Sequence, residues 1–311
     1  MTQNQPSSST NAPPAGPVAL AGATGDLGFR IAQALLRRGA AVRALVRPGN
    51  TKPETTALRD AGAEVVEVDF NSVTALTAAC AGAACVVSAL SGLREVIVDG
   101  QKRLLDAAVA AGVPRFVPSD FCIDYTTLPA GSNRNLDLRR EFNQRLDQAP
   151  IQATSVLNGM FTDLLTGQAP VVLFGLGRVL YYGDADQPLD FTTIDNTAEY
   201  TAAAALDPDT PRYLRVAGEV ASARGLQRAA TEATGQPFKL LRAGGLWVLG
   251  TLIKVTRTLA PAPQEVFPAW QGMQYLHNMF SGRPKFAHLD NARYADIRWT
   301  SVREVLAARQ A

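Results

Sequence analysis

The stretch Gly22-Ala23-Thr24-Gly25-Asp26-Leu27-Gly28 carries the clearest chemical signal in the chain. It closes an apolar run that begins at Val18, and it opens a segment in which Leu27, Ile31, Ala34 and Leu35 recur at helical spacing. Each glycine has a separate task in such a setting. The first turns the chain sharply off a strand. The second lets backbone approach a pyrophosphate, and the third lets the helix pack tightly on the sheet. The helix start then offers free N–H groups and a partial positive charge, so the expected ligand is a dinucleotide diphosphate.

A second group of residues bears on which dinucleotide. Folds that read a ribose 2′-hydroxyl place a carboxylate at the end of the second strand, roughly 20 residues past the glycines. Here that strand reads Val42-Arg43-Ala44-Leu45-Val46-Arg47, and no acidic residue occurs between Asp26 and Glu54. Arg47 stands where the carboxylate would be, with a planar guanidinium suited to a 2′-phosphate. Lys52 adds a second positive charge in the next loop. The expected cofactor is therefore NADP(H), with NAD(H) the less favoured choice.

Positioning these groups takes a particular order of elements. From Val18 to Asn158 strand-like and helix-like segments alternate. Strands are expected at Val18–Gly22, Ala41–Val46, Glu64–Asp69, Ala84–Leu90, Arg115–Pro118 and Gln152–Leu157. Helices are expected at Leu27–Arg38, Ser72–Ala81, Glu95–Ala111 and Asn135–Ala149. Such alternation, with right-handed crossovers, gives an α/β fold: a Rossmann-type, doubly wound parallel sheet. Beyond Asn158 the rhythm breaks. Short strands are expected at Val171–Phe174, Arg178–Tyr182, Leu189–Ile194, Tyr213–Val216 and Pro237–Leu241. Helices are expected at Asp195–Leu206, capped by Asp195, and at Ser222–Thr234. The remainder, Leu246 to Arg309, reads as a smaller, mainly helical substrate lobe. The expected division is a tail over 1–17, a nucleotide-binding domain over 18–158, and the remaining sheet elements with the lobe over 159–311.

Composition removes several classes of function. The 311 residues are 47% hydrophobic with a net charge of +2, and no basic run suggests nucleic acid. Cys80, Cys85 and Cys122 form no CxxC pair and are odd in number, which argues for a reducing, cytoplasmic-type compartment and against a disulfide framework or a metal site. Met1 to Pro17 lacks the charged start and apolar core of a secretory signal and reads as a flexible tail. The most apolar later segment, Gly244 to Ile253, falls short of the about 20 residues that cross a bilayer, so no membrane is expected as a partner.

The quoted loop, the strand end RALVRPG, the third-strand VDF and above all Arg115 to Phe121 (RFVPSDF) resemble the NmrA-like and isoflavone-reductase-like family of atypical short-chain dehydrogenases. The resemblance runs from Val18 to about Val302 and is strongest up to Asn158. It implies pyrophosphate contacts at Gly22, Thr24, Gly25, Leu27 and Gly28, with Arg47 on the 2′-phosphate and Asp69 and Phe70 beside the adenine. It sets Ser88, Ala89 and Leu90 against the central ribose. Pro118, Ser119, Asp120 and Phe121 would flank the nicotinamide, with Asn158 and Phe161 at the far wall.

The usual catalytic signature of short-chain dehydrogenases is absent. That signature is a tyrosine with a lysine one helical turn further on, where the lysine favours the phenolate. The residues found at that spacing after the seven tyrosines are Pro129, Ala185, Asp186, Ala204, Ala217, Met279 and Arg298. Isoflavone-reductase-like enzymes use a lysine on the helix before the sixth strand, yet no lysine occurs between Lys102 and Lys239. Arg139 or Arg140 falls near that place, and arginine orients or stabilises an anion but exchanges protons poorly. The remaining helpers are Asp124, Tyr125 and His277. The stretch Phe267 to Phe280 is a candidate wall for an apolar pocket. The expectation is an NAD(P)H-dependent oxidoreductase that passes hydride directly to a small aromatic, enone or quinone-like acceptor, its proton drawn from solvent. The alternative is a non-catalytic NADP(H)-binding redox sensor acting through protein partners.

Overall fold

The computed structural model describes residues 16–309. The expected tail lies outside these residues, apart from Gly16 and Pro17. The first half of the chain alternates strand and helix: β1 Val18–Ala21, α1 Asp26–Arg37, β2 Val42–Val46, α2 Pro53–Asp60, β3 Glu64–Glu67, α3 Val73–Cys80 and β4 Cys85–Ser88. A π-helical stretch, Glu95–Gly100, runs into α4 Gln101–Ala110, followed by β5 Arg115–Val117, α5 Arg134–Leu146, β6 Gln152–Ala153 and β7 Ser155–Leu157. Strands β1 to β6 form one parallel sheet in the order β3-β2-β1-β4-β5-β6.

Alternation along each strand feeds two cores, as the pleat requires. Val18 and Leu20 pack with Ile31 and Leu35 of α1 on one face. Ala19 and Ala21 pack with Leu76, Leu104 and Phe142 on the other. The sheet is thus covered on both faces, which accounts for its unbroken apolar strands.

The second half holds β8 Met160–Phe161, β9 Val172–Leu173, β10 Arg178–Tyr181, β11 Leu189–Thr192, α6 Ile194–Leu206, β12 Tyr213–Arg215, β13 Glu219–Ala221, α7 Ala223–Thr234, β14 Lys239–Arg242, α8 Leu246–Leu259, α9 Ala269–Phe280 and α10 Val302–Ala308. Two small sheets, β14-β10-β9 and β13-β11-β8, border a third core beneath α7, α8 and α9. Helix α6 returns to the main sheet and packs beside α1. Buried Arg115 of β5 fastens it there, donating to Ala204 O at 2.9 Å, Ala205 O at 2.8 Å and Thr210 Oγ1 at 2.7 Å. These carbonyls end the helix, where a cation suits both the free acceptors and the dipole.

Several expectations need correction. The single strand foreseen at Gln152–Leu157 changes partners at Thr154: its first half pairs with β5 and its second with β12. Helix α2 was unforeseen, because Pro53 at its first turn reads equally as a loop residue. The cap of α6 is Thr193, whose side chain accepts from Asn196 N, whereas Asp195 sits in the first turn and pairs with Arg30 at 2.6 Å. The last segment is not wholly a lobe. Tyr294 and Trp299 come back to stack on Tyr200 of α6, with ring centroids at 4.8 and 5.9 Å.

All three cysteines are free and buried, and burial pushes the Cys80 and Cys85 thiols up to about 11 and Cys122 further. Because the thiolate is the nucleophile, a disulfide reagent in mildly alkaline buffer should label none of them in the native protein. All three should react at once in denaturant. Rapid labelling of the native chain would show this burial to be wrong.

Candidate functional site

Glycine geometry shapes the loop after β1. Gly22 has φ +83°, and a Cβ there would lie 2.6 Å from the carbonyl oxygen of Ala89, just past the end of β4. A Cβ on Gly28 would lie 2.1 Å from Gly22 O, so the first turn of α1 sits directly on the loop. Gly25 closes the turn by donating to Gly22 O at 3.0 Å and serves as the N-cap of α1. No side chain caps that helix start, so its first amides remain available to an anion. A Cβ on exposed Gly25 would meet only Gly22 O, at 3.3 Å, with open space beyond. Thr24 and Leu27 are half-buried beside it.

The loop after β2 folds toward this turn. Lys52 Nζ donates to Thr24 O at 3.3 Å, and Asn50 Nδ2 to Thr24 Oγ1 at 3.4 Å. Arg47 stands exposed at the end of β2, with no hydrogen bond or ion pair to its guanidinium among the described residues. Exposed Asp69 accepts from Asn71 N at 2.9 Å in a tight turn after β3. Half-buried Phe70 follows, its carbonyl held by Arg103 at 3.0 Å.

Further along the crevice the carboxyl ends of β4 and β5 are tied together. Ser119 Oγ donates to Leu90 O at 2.6 Å, and Ser119 N donates to Gln101 Oε1 at 2.9 Å. Gln101 is fully buried, and its role was not legible in a helix that read only as amphipathic. Pro118 and Phe121 are buried on either side, while Ala89 and Leu90 are half-buried. Two polar side chains in this region are sealed from solvent yet unpaired: Ser88 Oγ, at the end of β4, and both polar atoms of Asn158, just past β7. A buried, unpaired polar side chain costs about 1–3 kcal/mol, an imbalance that a ligand would relieve. Gly159, at φ +68°, makes the turn behind Asn158, where a Cβ would lie 2.3 Å from Asp190 O. Phe161 lies half-buried beyond it.

Asp120 serves a different purpose. Its fully buried carboxylate accepts at Oδ2 from Ser155 Oγ at 2.7 Å, Asn143 Nδ2 at 2.8 Å and Tyr125 OH at 3.0 Å. These bonds join β5, α5 and β7, so the side chain is a clamp between elements, while its other oxygen, Oδ1, is buried without a partner.

The expected proton-transfer helpers are corrected by the same geometry. Asp124 is buried against Arg215 at 2.7 Å and caps Thr126 N, which leaves its carboxylate committed to the fold. The Tyr125 hydroxyl is held by Asp120, and burial drives its pKa far above an ordinary phenol. His277 lies between α9 and α8, near Gly250, where burial and then Arg283 lower its pKa. It is about 200° round the helix from Tyr275, which faces Arg139. Of the two arginines, Arg140 turns away to Asp137 and to Tyr125 O, while Arg139 reaches β5 with Nε 3.1 Å from Ser119 O. Its neighbour Tyr275 is pushed up to about 12 by burial, against the pull of Arg139. Sequence reading held Tyr275 only as part of the Phe267 to Phe280 wall, because a lone tyrosine in an apolar helix carries no spacing signal. A cavity of about 670 Å³ lined by Glu219, Arg228, Glu232 and Trp299 shares no lining residue with this crevice.

Residues 15–261 match the model of the NmrA-like family. The chain is 33% identical over 208 residues to pinoresinol reductase 1 of Arabidopsis thaliana, covering 62% of this chain and 65% of that protein, just under two thirds of its length. A solved structure of AtPrR2 with NADP+ and (+)pinoresinol superposes with a TM-score of 0.78 at 23% identity, covering 94% of this chain and 98% of the other. The NADPH-dependent quinone oxidoreductase QOR2 of Escherichia coli, complexed with NADPH, gives 0.72 at 18% identity, covering 94% and 100%. At these identities the structural matches establish the shared fold.

The Asp120 clamp has a measurable consequence. Asp120→Ala leaves three buried donors without an acceptor, which should cost about 3 kcal/mol or more. For a chain of this size the melting temperature should fall by roughly 4–5 °C or more, and Asp120→Asn should lose less. Melts followed by circular dichroism would decide, and an unchanged midpoint for Asp120→Ala would contradict the clamp.

Proposed function

The chain belongs to the NmrA-like family, and from that premise we propose that it is an NADPH-dependent oxidoreductase acting on a small, flat, mostly apolar acceptor such as an enone or quinone. The observation that carries this reading is the line of unsatisfied groups along the carboxyl ends of the strands. It runs from the uncapped amides of α1, past Arg47, to the sealed and unpaired Ser88 and Asn158. This is the crevice where open parallel sheets hold dinucleotides. The names of the relatives agree in kind, since they include an NADP+ complex with pinoresinol and an NADPH complex of a quinone oxidoreductase.

In this reading the amides from Gly22 to Gly28 hold the diphosphate, and Thr24 and Leu27 line it. Arg47 and Lys52 take the 2′-phosphate, and Asp69 and Phe70 border the adenine. Ser88 offers its hydroxyl at the central ribose, with Ala89 and Leu90 as the apolar floor. Pro118, Ser119, Asp120 and Phe121 wall the nicotinamide through backbone and ring, and Asn158 offers one donor and one acceptor to its carboxamide. When bound, the nicotinamide supplies the hydride. The Arg139 guanidinium stabilises the oxygen that gains negative charge, and solvent supplies the proton, because Asp124 and Tyr125 are committed elsewhere. The division at Asn158 then separates a nucleotide half from a lobe that receives the acceptor. Three free, buried thiols support a reducing compartment such as the cytoplasm. No helix of the described residues is long and apolar enough to cross a membrane.

Oxidation of NADPH should be followed by its loss of absorbance across a panel of quinones and enones. Binding should be measured in parallel by calorimetry. Arg47→Ala should weaken NADPH binding by roughly 10- to 100-fold, the loss of a bidentate charge-assisted contact, and leave NADH nearly unchanged. Tight NADPH binding with no turnover on any acceptor would favour the sensor instead. No binding of either nucleotide would remove both readings.

A further inference from the structure

Helix α8 presents the wrong face to water. Trp247, Val248, Leu252, Val255 and Leu259 are all exposed on it, Trp247 by 82% and Leu259 by 79%. Leu241 and Phe267 are exposed in the segments on either side, and the rest of the described residues hold only four exposed large apolar side chains. At about 100° per residue, the outward arc spans roughly 140° from Trp247 to Leu252. The only polar residues in that arc are Thr251 and Thr258. The opposite side is apolar too, with Leu249 buried and Leu246 and Ile253 packed on the lobe core. A helix apolar on both sides is ordinarily covered by something.

Charge points to what covers it. No acidic residue occurs between Glu232 and Glu265, whereas Lys239, Arg242, Lys254 and Arg257 lie between them. All four are exposed, and none forms an ion pair with the described residues. Lys254 flanks the apolar arc, and Arg257 stacks on Trp270 with its guanidinium 5.1 Å from the ring. A second copy of this chain is a poor occupant. A two-fold interface sets the same patch against itself, and these cations would face their own mates with no carboxylate from residues 233–264 to neutralise them. An anionic bilayer surface matches both properties at once.

We propose that α8 docks in the plane of an anionic bilayer, with Trp247 and the Val248–Leu252–Val255–Leu259 stripe in the headgroup boundary and Lys254, at the edge of that stripe, toward the lipid charges. The helix is too short to span, and it lies on the surface. This docking is independent of the reductase reading.

Flotation of the full chain tests it, using vesicles of phosphatidylcholine alone and of equal parts phosphatidylcholine and phosphatidylglycerol. The chain should float with the anionic vesicles and remain behind with the neutral ones, and high salt should release it. Trp247 emission should shift to the blue on binding, and the shift should vanish in Trp247→Glu, an exposed position where the variant should still fold. Lys254→Glu should weaken partitioning by roughly fivefold or more, since a surface cation contributes about that factor. Three results would overturn the proposal: no flotation with anionic vesicles, equal flotation with both compositions, or a concentration-dependent dimer in ultracentrifugation that Trp247→Glu abolishes.

Discussion

The arrangement depends on one close approach of backbone to backbone. The carbonyl of Ala89 lies where a side chain on residue 22 would begin, and the carbonyl of Gly22 lies where one on residue 28 would begin. Atoms cannot share space, so only glycine lets β1 turn beside the end of β4 and lets α1 sit on the turn. That packing aims the first amides of α1 along the crevice, and it joins α1 to a sheet already covered on its other face. A Cβ at Gly22 or Gly28 would therefore disturb the core and the site together, because the same contacts build both.

Beyond that turn, the crevice divides its buried polar groups into two kinds. Asp120, Asp124 and Gln101 are buried and hydrogen-bonded, and each ties one element to another: β5 to α5 and β7, the loop after β5 to β12, and β5 to α4, although Asp120 Oδ1 keeps no partner. Ser88 and Asn158 are just as buried and have no partner for their side chains. Desolvation penalises a polar atom in either group, and bonding offsets it only in the first. The distinction separates residues that hold the crevice in shape from residues that, in the proposed reading, are left to complete a ligand. Sequence alone cannot make it, since aspartate and asparagine near strand ends look alike until their neighbours are known.

The sheet was legible for a related reason. Its strands are short apolar runs separated by helices of clear period, and the glycine triplet marks where the first crossover starts. Where reading failed, the information was not local. Thr154 looks like any strand residue, but β5 ends opposite it and β12 begins, so the strand changes partners there. Thr193 and Asp195 are both good caps by type, but Thr193 is buried where its side chain accepts from Asn196 N, while Asp195 is exposed in the first turn beside Arg30. Tyr125 and Asp124 have the right chemistry for proton transfer and the wrong surroundings, since Asp124 is committed to Arg215 and Thr126, and Tyr125 to Asp120.

Helix α8 shows how a plain reading of hydropathy can be right and incomplete. Its apolar run is too short to cross a bilayer, and the helix, although it continues six residues past Ile253 to Leu259, is too short as well. Hydropathy is silent on which residues face outward, and only the packing of Leu249 and Ile253 on the lobe reveals that the other arc is apolar as well. The outward apolar arc and the cationic, carboxylate-free sequence around α8 are thus separate properties of one helix, the first set by packing and the second by composition.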